Sequence, residues 1–213
     1  MYCYIFGALP VNRFDFKLTD KDIVIAADSG IKNTEKFNIP PDYIIGDFDS
    51  LGYKPDSDNV IVHPVEKDDT DTLLAVKKAI ELGYKNFRIF GCIGGRLDHT
   101  FSNIQTAAFI ADNGGNAIFY GDTENFTVIK NDVLEFSETN FGNVSVFALE
   151  NCDNVNIQGL FYELKNGNLT PDFPLGVSNK FINKKASVSV EDGKLLIIWE
   201  NNNRNKIPGE END

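Results

Sequence analysis

Two uninterrupted apolar runs in the first quarter of the chain each end at an aspartate. Ile23–Ala27 leads directly into Asp28. Residues 43–45 lead through a single glycine to Asp47 and Asp49. A continuous apolar run of this length is typical of a strand that is covered on both faces, as in a parallel sheet. The pattern therefore predicts buried parallel strands whose carboxyl ends carry acids.

The alternation of strand and helix continues through the first 120 residues. Further strands are predicted at residues 2–6, 60–62, 87–93 and 116–120, and helices at residues 31–38, 98–112 and from about residue 71 to a C′ glycine at Gly83. Strands that alternate with helices imply right-handed crossovers and a mostly parallel sheet flanked by helices. We therefore expect an α/β N-terminal domain over residues 1–122.

After Asp122 the sequence pattern changes to an alternation with a period of two residues. Polar and apolar residues alternate at residues 144–146, 155–157, 160–164 and 188–190, with Asn- and Gly-rich turns between them and no helical period of useful length. This pattern predicts an all-β C-terminal domain over residues 123–200, either a sandwich or jelly-roll-like. Residues 201–213 are polar and are expected to form a frayed tail.

Charge and cysteine content limit the classes of partner and the compartment. A net charge of −12 and a pI near 4.6 argue against nucleic acid as a partner, because phosphate binding needs a basic face. The three cysteines, Cys3, Cys92 and Cys152, are far apart and odd in number, which favours reduced thiols in a cytoplasmic protein. Neither a signal peptide nor an apolar run of membrane-spanning length is present in the sequence, so we expect no membrane association.

Six aspartates lie just beyond predicted strand ends: Asp28, Asp47, Asp49, Asp68, Asp71 and Asp98. The carboxyl ends of parallel strands share one edge of the sheet, so these carboxylates would repel one another unless cations neutralised them. Oxygen ligands of this kind suit Mg²⁺. The alternative is that Asp is a good turn and N-cap residue, and for Asp69 and Asp122 we prefer that structural interpretation.

A glycine-rich turn follows the predicted fifth strand. Gly94 and Gly95 would let backbone N–H groups approach phosphate oxygens, and Arg96 can add a bidentate contact. A tight turn alone also explains the glycines, and His99 can either contact a ligand or pack at the helix start. The chain lacks a Walker A loop, a G-x-G-x-x-G motif, a G-x-S-x-G elbow and enough histidines for a His-rich zinc site.

Four ordered motifs resemble the thiamine pyrophosphokinase family. They are residues 26–30, 46–50, 67–71 and 94–99, the last continuing through residues 101–104, and the resemblance reaches the C-terminal half at residues 176–179 and 186–199. Ser29 and Glu66 depart from the residues that are common in the family, although neither removes one of the six carboxylates. The resemblance covers nearly the whole chain.

The resemblance implies transfer of a pyrophosphoryl group from ATP to the hydroxyl of thiamine, giving thiamine diphosphate and AMP. It implies Mg²⁺ ligation by Asp49, Asp71 and Asp98, with Asp71 also a candidate base, and a shaping role for Asp47 and Asp28. The residues that it assigns to catalysis are Asp47, Asp49, Asp71 and Asp98, and those that it assigns to the nucleotide and metal are Asp28, Asp68, Gly94, Gly95, Arg96, His99 and Asn103.

The family also implies a homodimer whose active site is shared between subunits. Ser178 and Asn179 would then contact thiamine held by the catalytic domain of the other subunit. Trp199 either stacks on a ligand or belongs to the sandwich core. The alternative functions are another Mg²⁺-dependent nucleotidyltransferase or phosphohydrolase, or a non-catalytic small-ligand-binding protein.

Overall fold

The computed structural model describes residues 1–48, 59–62 and 69–201. The chain divides into two compact units, Met1–Asp122 and Thr123–Asp213. The first unit contains strands and helices in alternation, and the second contains strands throughout its described part. The predicted fold class, an α/β N-terminal part with a mostly parallel sheet and an all-β C-terminal part, is confirmed. No helix in the described part of the chain is long and apolar enough to span a membrane.

The first unit is built on six parallel strands. They are β1 (Cys3–Phe6), β2 (Ile23–Ala27), β3 (Tyr43–Gly46), β4 (Val60–Val62), β5 (Asn86–Phe90) and β6 (Asn116–Tyr120). Their order is β4-β3-β2-β1-β5-β6, with every neighbouring pair parallel. Strands β2, β3 and β4 therefore follow one another on one side of β1, and β5 and β6 lie on the other side of β1. This makes the gap between β1 and β5 the topological switch point of the sheet.

Three α-helices are present among the described residues of this unit: α1 (Ile31–Lys36), α2 (Asp71–Glu81) and α3 (Leu97–Asp112). The hydroxyl of Thr70 caps α2 by accepting a hydrogen bond from the Leu73 amide at 3.3 Å. Gly83 ends α2 with a φ of 88°, and its N–H donates to Ile80 while that of Tyr84 donates to Ala79. This is a Schellman motif, so the predicted C′ glycine is confirmed.

The connection from β1 to β2 contains no helix in the structure. Instead, Phe14 and Phe16 from this irregular segment pack over the sheet, with ring centroids 5.4 and 5.6 Å from that of Phe90. Both rings also contact Tyr4 of β1. The aromatic side chains thereby bury a sheet face that a crossover helix covers in most parallel sheets.

The second unit contains two antiparallel sheets of four strands each within its described residues. Their strands are β7 (Glu124–Lys130), β8 (Val133–Phe136), β9 (Asn143–Ala148), β10 (Cys152–Gln158), β11 (Leu164–Leu169), β12 (Gly176–Lys180), β13 (Ala186–Ser189) and β14 (Lys194–Glu200). The first sheet has the order β12-β9-β14-β7, and the second has the order β11-β10-β13-β8. Trp199 on β14 is 1% exposed, and its ring meets that of Phe136 on β8 at 5.6 Å. Trp199 is therefore a core residue between the two sheets.

Two predicted elements differ from the structure. The predicted strand over residues 160–164 is wrong: Leu160 forms only an isolated bridge, with Phe181, and β11 begins at Leu164. The Asn179 side chain binds both the N–H and the carbonyl of Tyr162, so these backbone groups are not available for a ladder. The strand predicted over residues 87–93 ends at Phe90, because Gly91 turns the chain with a φ of 67°.

Candidate active site

The predicted acids that the structure describes lie at the carboxyl ends of the parallel strands or at the helix starts that follow them. Asp28 directly follows β2, and Asp47 directly follows β3. Asp71 is the first residue of α2, and Asp98 is the second residue of α3, where acids suit the helix dipole. Asp49 and Asp68 lie outside the described residues.

Asp28 is the most deeply buried of these acids. It is 9% exposed and has a φ of 48°, which is rare for a residue other than glycine. One carboxylate oxygen, Oδ2, accepts a hydrogen bond from the Ser29 hydroxyl at 3.0 Å. The other, Oδ1, is buried and has no hydrogen-bond partner among the described residues. A buried carboxylate oxygen without a partner is costly, so its presence marks this position as a candidate ligand site.

Asp98 and Arg96 form an exposed ion pair beside the glycine-rich turn. The Arg96 Nη2 atom lies 2.6 Å from Oδ2 of Asp98, and Nε lies 3.1 Å from Oδ1. The hydrogen bonds from Arg96 lower the pKa of the Asp98 carboxyl, so this group is ionised at neutral pH. Exposed pairs contribute little to stability, which leaves both side chains able to exchange partners for a ligand.

The glycine-rich turn is held at both ends by side chains of α3. Gly94 and Gly95 have φ values of 98° and 65°. The Thr100 hydroxyl accepts from the Gly94 amide at 3.2 Å, and the buried Asn103 side chain donates to the Cys92 carbonyl at 2.8 Å. Asn103 therefore acts on the backbone of the turn in this structure.

His99 is exposed at the start of α3. Its backbone amide donates to Oδ1 of Asp98 at 3.0 Å. Its contact with a ligand stays a prediction.

The described carboxylates offer the oxygen ligands that Mg²⁺ prefers, and the unpartnered Oδ1 of Asp28 fits such a site. Within residues 1–48, 59–62 and 69–201, however, no three His, Cys, Asp or Glu side chains converge closely enough to hold a metal ion. Two of the six predicted acids fall outside these ranges. The donor chemistry thus fits Mg²⁺, and the ligand set stays a prediction.

Two residues at this edge of the sheet were not identified from the sequence. Thr100 bonds the glycine-rich turn, and Asn33 of α1 makes three hydrogen bonds to the loop after β1. Asn33 lies between Lys32 and Thr34 in a helix of six residues, so its neighbours give no local signal of its role. Its partners lie more than twenty residues away, so the sequence pattern alone could not identify them.

In the second unit, the two predicted substrate residues have different environments. Ser178 is exposed with a φ of 59°, whereas Asn179 is 3% exposed and is bonded to the backbone of Tyr162 and Lys180. Asn179 lines a pocket of about 300 Å³, and Ser178 does not. It is lined mainly by apolar side chains, with Tyr162, Glu163 and Asn179 as its polar members.

Comparison with known proteins identifies the family in both halves of the chain. Residues 14–119 match the model described as "Thiamin pyrophosphokinase, catalytic domain", and residues 132–195 match "Thiamin pyrophosphokinase, vitamin B1 binding domain". The chain is 29% identical over 189 residues to a protein of Bacillus subtilis (strain 168) named thiamine pyrophosphokinase, covering 84% of each sequence.

Solved structures show the same fold. The crystal structure of thiamine pyrophosphokinase from Bacillus subtilis has a TM-score of 0.82 and 23% identity, and covers 95% of this chain and 100% of that one. The solved structure of thiamin pyrophosphokinase from Candida albicans has a TM-score of 0.72 and 18% identity, and the match covers 94% of this chain and 89% of that one. The two family models together match most of the sequence and occur in the expected order. This chain therefore belongs to the thiamin pyrophosphokinase family of enzymes.

Proposed function

We propose that this protein transfers the pyrophosphoryl group of ATP to the hydroxyl of thiamine in a Mg²⁺-dependent reaction that releases AMP. The observation that carries the proposal is the order of the two matched regions, a catalytic domain followed by a vitamin B1 binding domain, on a fold whose switch point carries a glycine-rich turn. Crevices at the switch points of parallel sheets are common ligand sites.

The ATP phosphates are proposed to bind at the turn formed by Gly94 and Gly95. Backbone N–H groups at such turns favour anions, and Arg96 can exchange Asp98 for a phosphate oxygen because both side chains are exposed. Asp49, Asp71 and Asp98 would hold Mg²⁺, which supplies charge neutralisation for the triphosphate. Alignment and charge neutralisation are the main requirements of phosphoryl transfer.

In the proposed reaction the thiamine hydroxyl oxygen attacks the β-phosphorus of ATP. A new bond forms between that oxygen and the β-phosphorus, and the bond from the β-phosphorus to the oxygen bridging it to the α-phosphorus breaks. AMP leaves with the bridging oxygen and its electron pair. Asp28 and Asp47 are proposed to shape the site and orient the hydroxyl, and Asp71 is the candidate acceptor of its proton.

Thiamine is an aromatic cation, and the pocket in the second unit has matching chemistry. The apolar lining suits the rings, and the carboxylate of Glu163 suits the positive charge. Ser178, which is exposed and lies in the chain between the lining residues Val177 and Asn179, is proposed to contact thiamine directly. Asn179 is proposed to contribute by holding the backbone of Tyr162, since its side chain is already bonded there.

A homodimer with a shared site is supported by exposed apolar side chains. Leu97 and Phe101 lie one turn apart on α3 and are 82% and 60% exposed. In the second unit, three exposed residues line the pocket, Tyr162, Leu175 and Val177, and the side chains of Phe161 and Phe173 are exposed as well. Clustered exposed apolar side chains are typical of protein interfaces.

We also propose a cytoplasmic location. Cys3, Cys92 and Cys152 are all free and buried in the structure. Free buried thiols are typical of proteins in reducing compartments.

The direct test is to incubate the purified protein with thiamine, ATP and Mg²⁺ and to identify the products by chromatography and ³¹P NMR. Thiamine diphosphate and AMP in equal amounts, dependent on all three components, are expected. ADP, or pyrophosphate formed without thiamine, would instead indicate another nucleotidyltransferase or phosphohydrolase. Binding of thiamine without turnover would indicate a non-catalytic binding protein.

A further inference from the structure

Two loops meet at the switch point of the first unit. The β1 loop, residues 7–11, follows β1, and the β5 turn, residues 91–95, follows β5. The amide of Gly7 donates to the Phe90 carbonyl at 2.7 Å, and that of Leu9 donates to the Gly91 carbonyl at 3.0 Å. The position of the β5 turn therefore depends on the conformation of the β1 loop.

The closest approach between the two loops is at Gly91. A Cβ atom at this position would lie 2.6 Å from the carbonyl oxygen of Leu9 and 2.8 Å from that of Gly7. These distances are too short for any side chain, so the two oxygens lie against the Gly91 backbone itself. Gly95 lies near the same loop, since a Cβ atom there would be 3.0 Å from the Leu9 side chain. Movement of either oxygen would therefore change the path of the β5 turn.

Asn33 on α1 binds the same two oxygens from the other side. Its Nδ2 atom donates to the carbonyls of Gly7 and Leu9, both at 2.9 Å, and its Oδ1 atom accepts from the Val11 amide at 3.0 Å. The side chain is 5% exposed. Both amide hydrogens and the amide oxygen are thus used within one loop, a pattern that only an amide side chain can provide.

We infer that Asn33 is a positioning residue that fixes the β1 loop so that the β5 turn presents Gly94 and Gly95 to the phosphates of ATP. This inference rests on the proposed function for the identity of the ligand. A simple tether between α1 and the loop is already provided by Lys36, whose Nζ atom donates to the Val11 carbonyl at 2.7 Å. Asn33 differs because the oxygens that it holds are those that contact Gly91.

The kinetic test uses Asn33→Asp, which keeps the size and the acceptor but removes both donors, with Thr34→Val as the matched control. Thr34 is the next residue and is fully buried, and its hydroxyl donates to the Ile31 carbonyl within its own helix at 2.9 Å. We expect KM for ATP to rise by roughly tenfold to a hundredfold in Asn33→Asp, with KM for thiamine unchanged. Thr34→Val is expected to leave both constants near their wild-type values.

The structural test is independent of the reaction. Amide hydrogen exchange at Leu9 and Gly94 is expected to accelerate in Asn33→Asp and in a second variant, Asn33→Leu, but not in Thr34→Val. Unchanged exchange at both amides in the folded variants overturns the inference. The inference is also overturned if the activity of the variants falls only in proportion to the fraction of folded protein while KM for ATP is unchanged. If the wild-type protein shows no thiamine-dependent turnover, that result contradicts the proposed function but not the inference about Asn33. In that case the role of Asn33 is decided by amide hydrogen exchange and by ATP binding, measured by calorimetry in the wild type and the variants.

Discussion

The acids at the strand ends differ in the partners that they have. Asp69 accepts from Lys77 at 2.6 Å and Asp122 accepts from Asn12 at 2.8 Å, while the N-cap of α2 is Thr70. Asp28 instead keeps a buried oxygen without a partner among the described residues. Asp98 forms an exposed ion pair with Arg96 and also accepts a hydrogen bond from the backbone amide of His99. Asp69 and Asp122 thus have side-chain partners, whereas one oxygen of Asp28 has none among the described residues.

Replacing the proposed metal ligands should abolish activity without unfolding the protein. We expect Asp49→Ala, Asp71→Ala and Asp98→Ala each to lower kcat by at least about a hundredfold, because loss of one carboxylate loosens the metal. Asp69→Ala is the matched control, since Asp69 lies in the same segment but is paired with Lys77 and is not a proposed metal ligand. Steady-state kinetics and circular dichroism provide the measurement. Full activity in the first three variants would contradict the assignment.

The buried thiols should make the protein less stable at alkaline pH. Burial raises the pKa of Cys92 from 9.0 to about 11, and it also raises the pKa values of Cys3 and Cys152. A raised pKa favours the neutral thiol in the folded state, so this stability is present below pH 9 and is lost as the pH rises toward 11. We expect the free energy of unfolding in urea to fall between pH 9 and pH 11, which is the range between the ordinary pKa and the raised pKa of Cys92.

The Cys92→Ala variant tests the contribution of this one thiol. It should be less stable at neutral pH, because the smaller side chain leaves a cavity. Its stability should nevertheless fall less steeply with pH than that of the wild type. An identical slope in both proteins would contradict the role given to Cys92.

At the level of elements, two glycines with positive φ terminate secondary structure in different ways. Gly83 has a φ of 88° and no atom within 4 Å of a Cβ position, whereas Gly91 has the carbonyls of Leu9 and Gly7 against it. Gly83→Ala should therefore cost only backbone strain, about 1 kcal/mol. Gly91→Ala should cost more and should also raise KM for ATP. Urea unfolding and kinetics of both variants measure this, and equal effects would show that the contact with the β1 loop is unimportant.

The elements that could be predicted from the sequence are those whose signal is local. Ile23–Ala27 is a continuous apolar run and forms β2 with the predicted bounds, and the Gly83 stop of α2 is a local backbone preference. The predicted strand over residues 160–164 does not form, because the distant Asn179 binds the backbone of Tyr162. A hydrogen bond between a side chain and a backbone group seventeen residues away produces no periodic pattern in the sequence, so it could not be predicted.

At the level of the whole molecule, the order of strands decides which loops can form a site. The sequence indicated that several strands end in acids, but it could not indicate that β5 pairs with β1 rather than with β4. That pairing brings the β1 loop to the glycine-rich turn and makes Asn33 relevant to it. The candidate site residues could therefore be predicted from local sequence motifs. The contacts that hold the glycine-rich turn could not, because they form between segments that are distant in the sequence.

The proposed shared site can be tested by mixing two inactive variants. Asp71→Ala removes an acid of the first unit, and Ser178→Arg places a bulky cation beside the pocket of the second unit, where it repels cationic thiamine. Ser178 has a φ of 59°, so a serine and an arginine at this position are subject to the same backbone strain. Each variant alone should be inactive and dimeric by light scattering.

A dimer that combines one subunit of each variant would contain one site with an intact Asp71 from one chain and an intact Ser178 from the other. If subunits exchange freely, half of the dimers are mixed and half of their sites are intact, so about a quarter of wild-type activity should return. Asp71→Ala mixed with Asp98→Ala is the matched control, because both changes lie in the same unit and no intact site can form. No recovery in the first mixture, with subunit exchange verified by mass spectrometry, would show that each active site is built within a single chain.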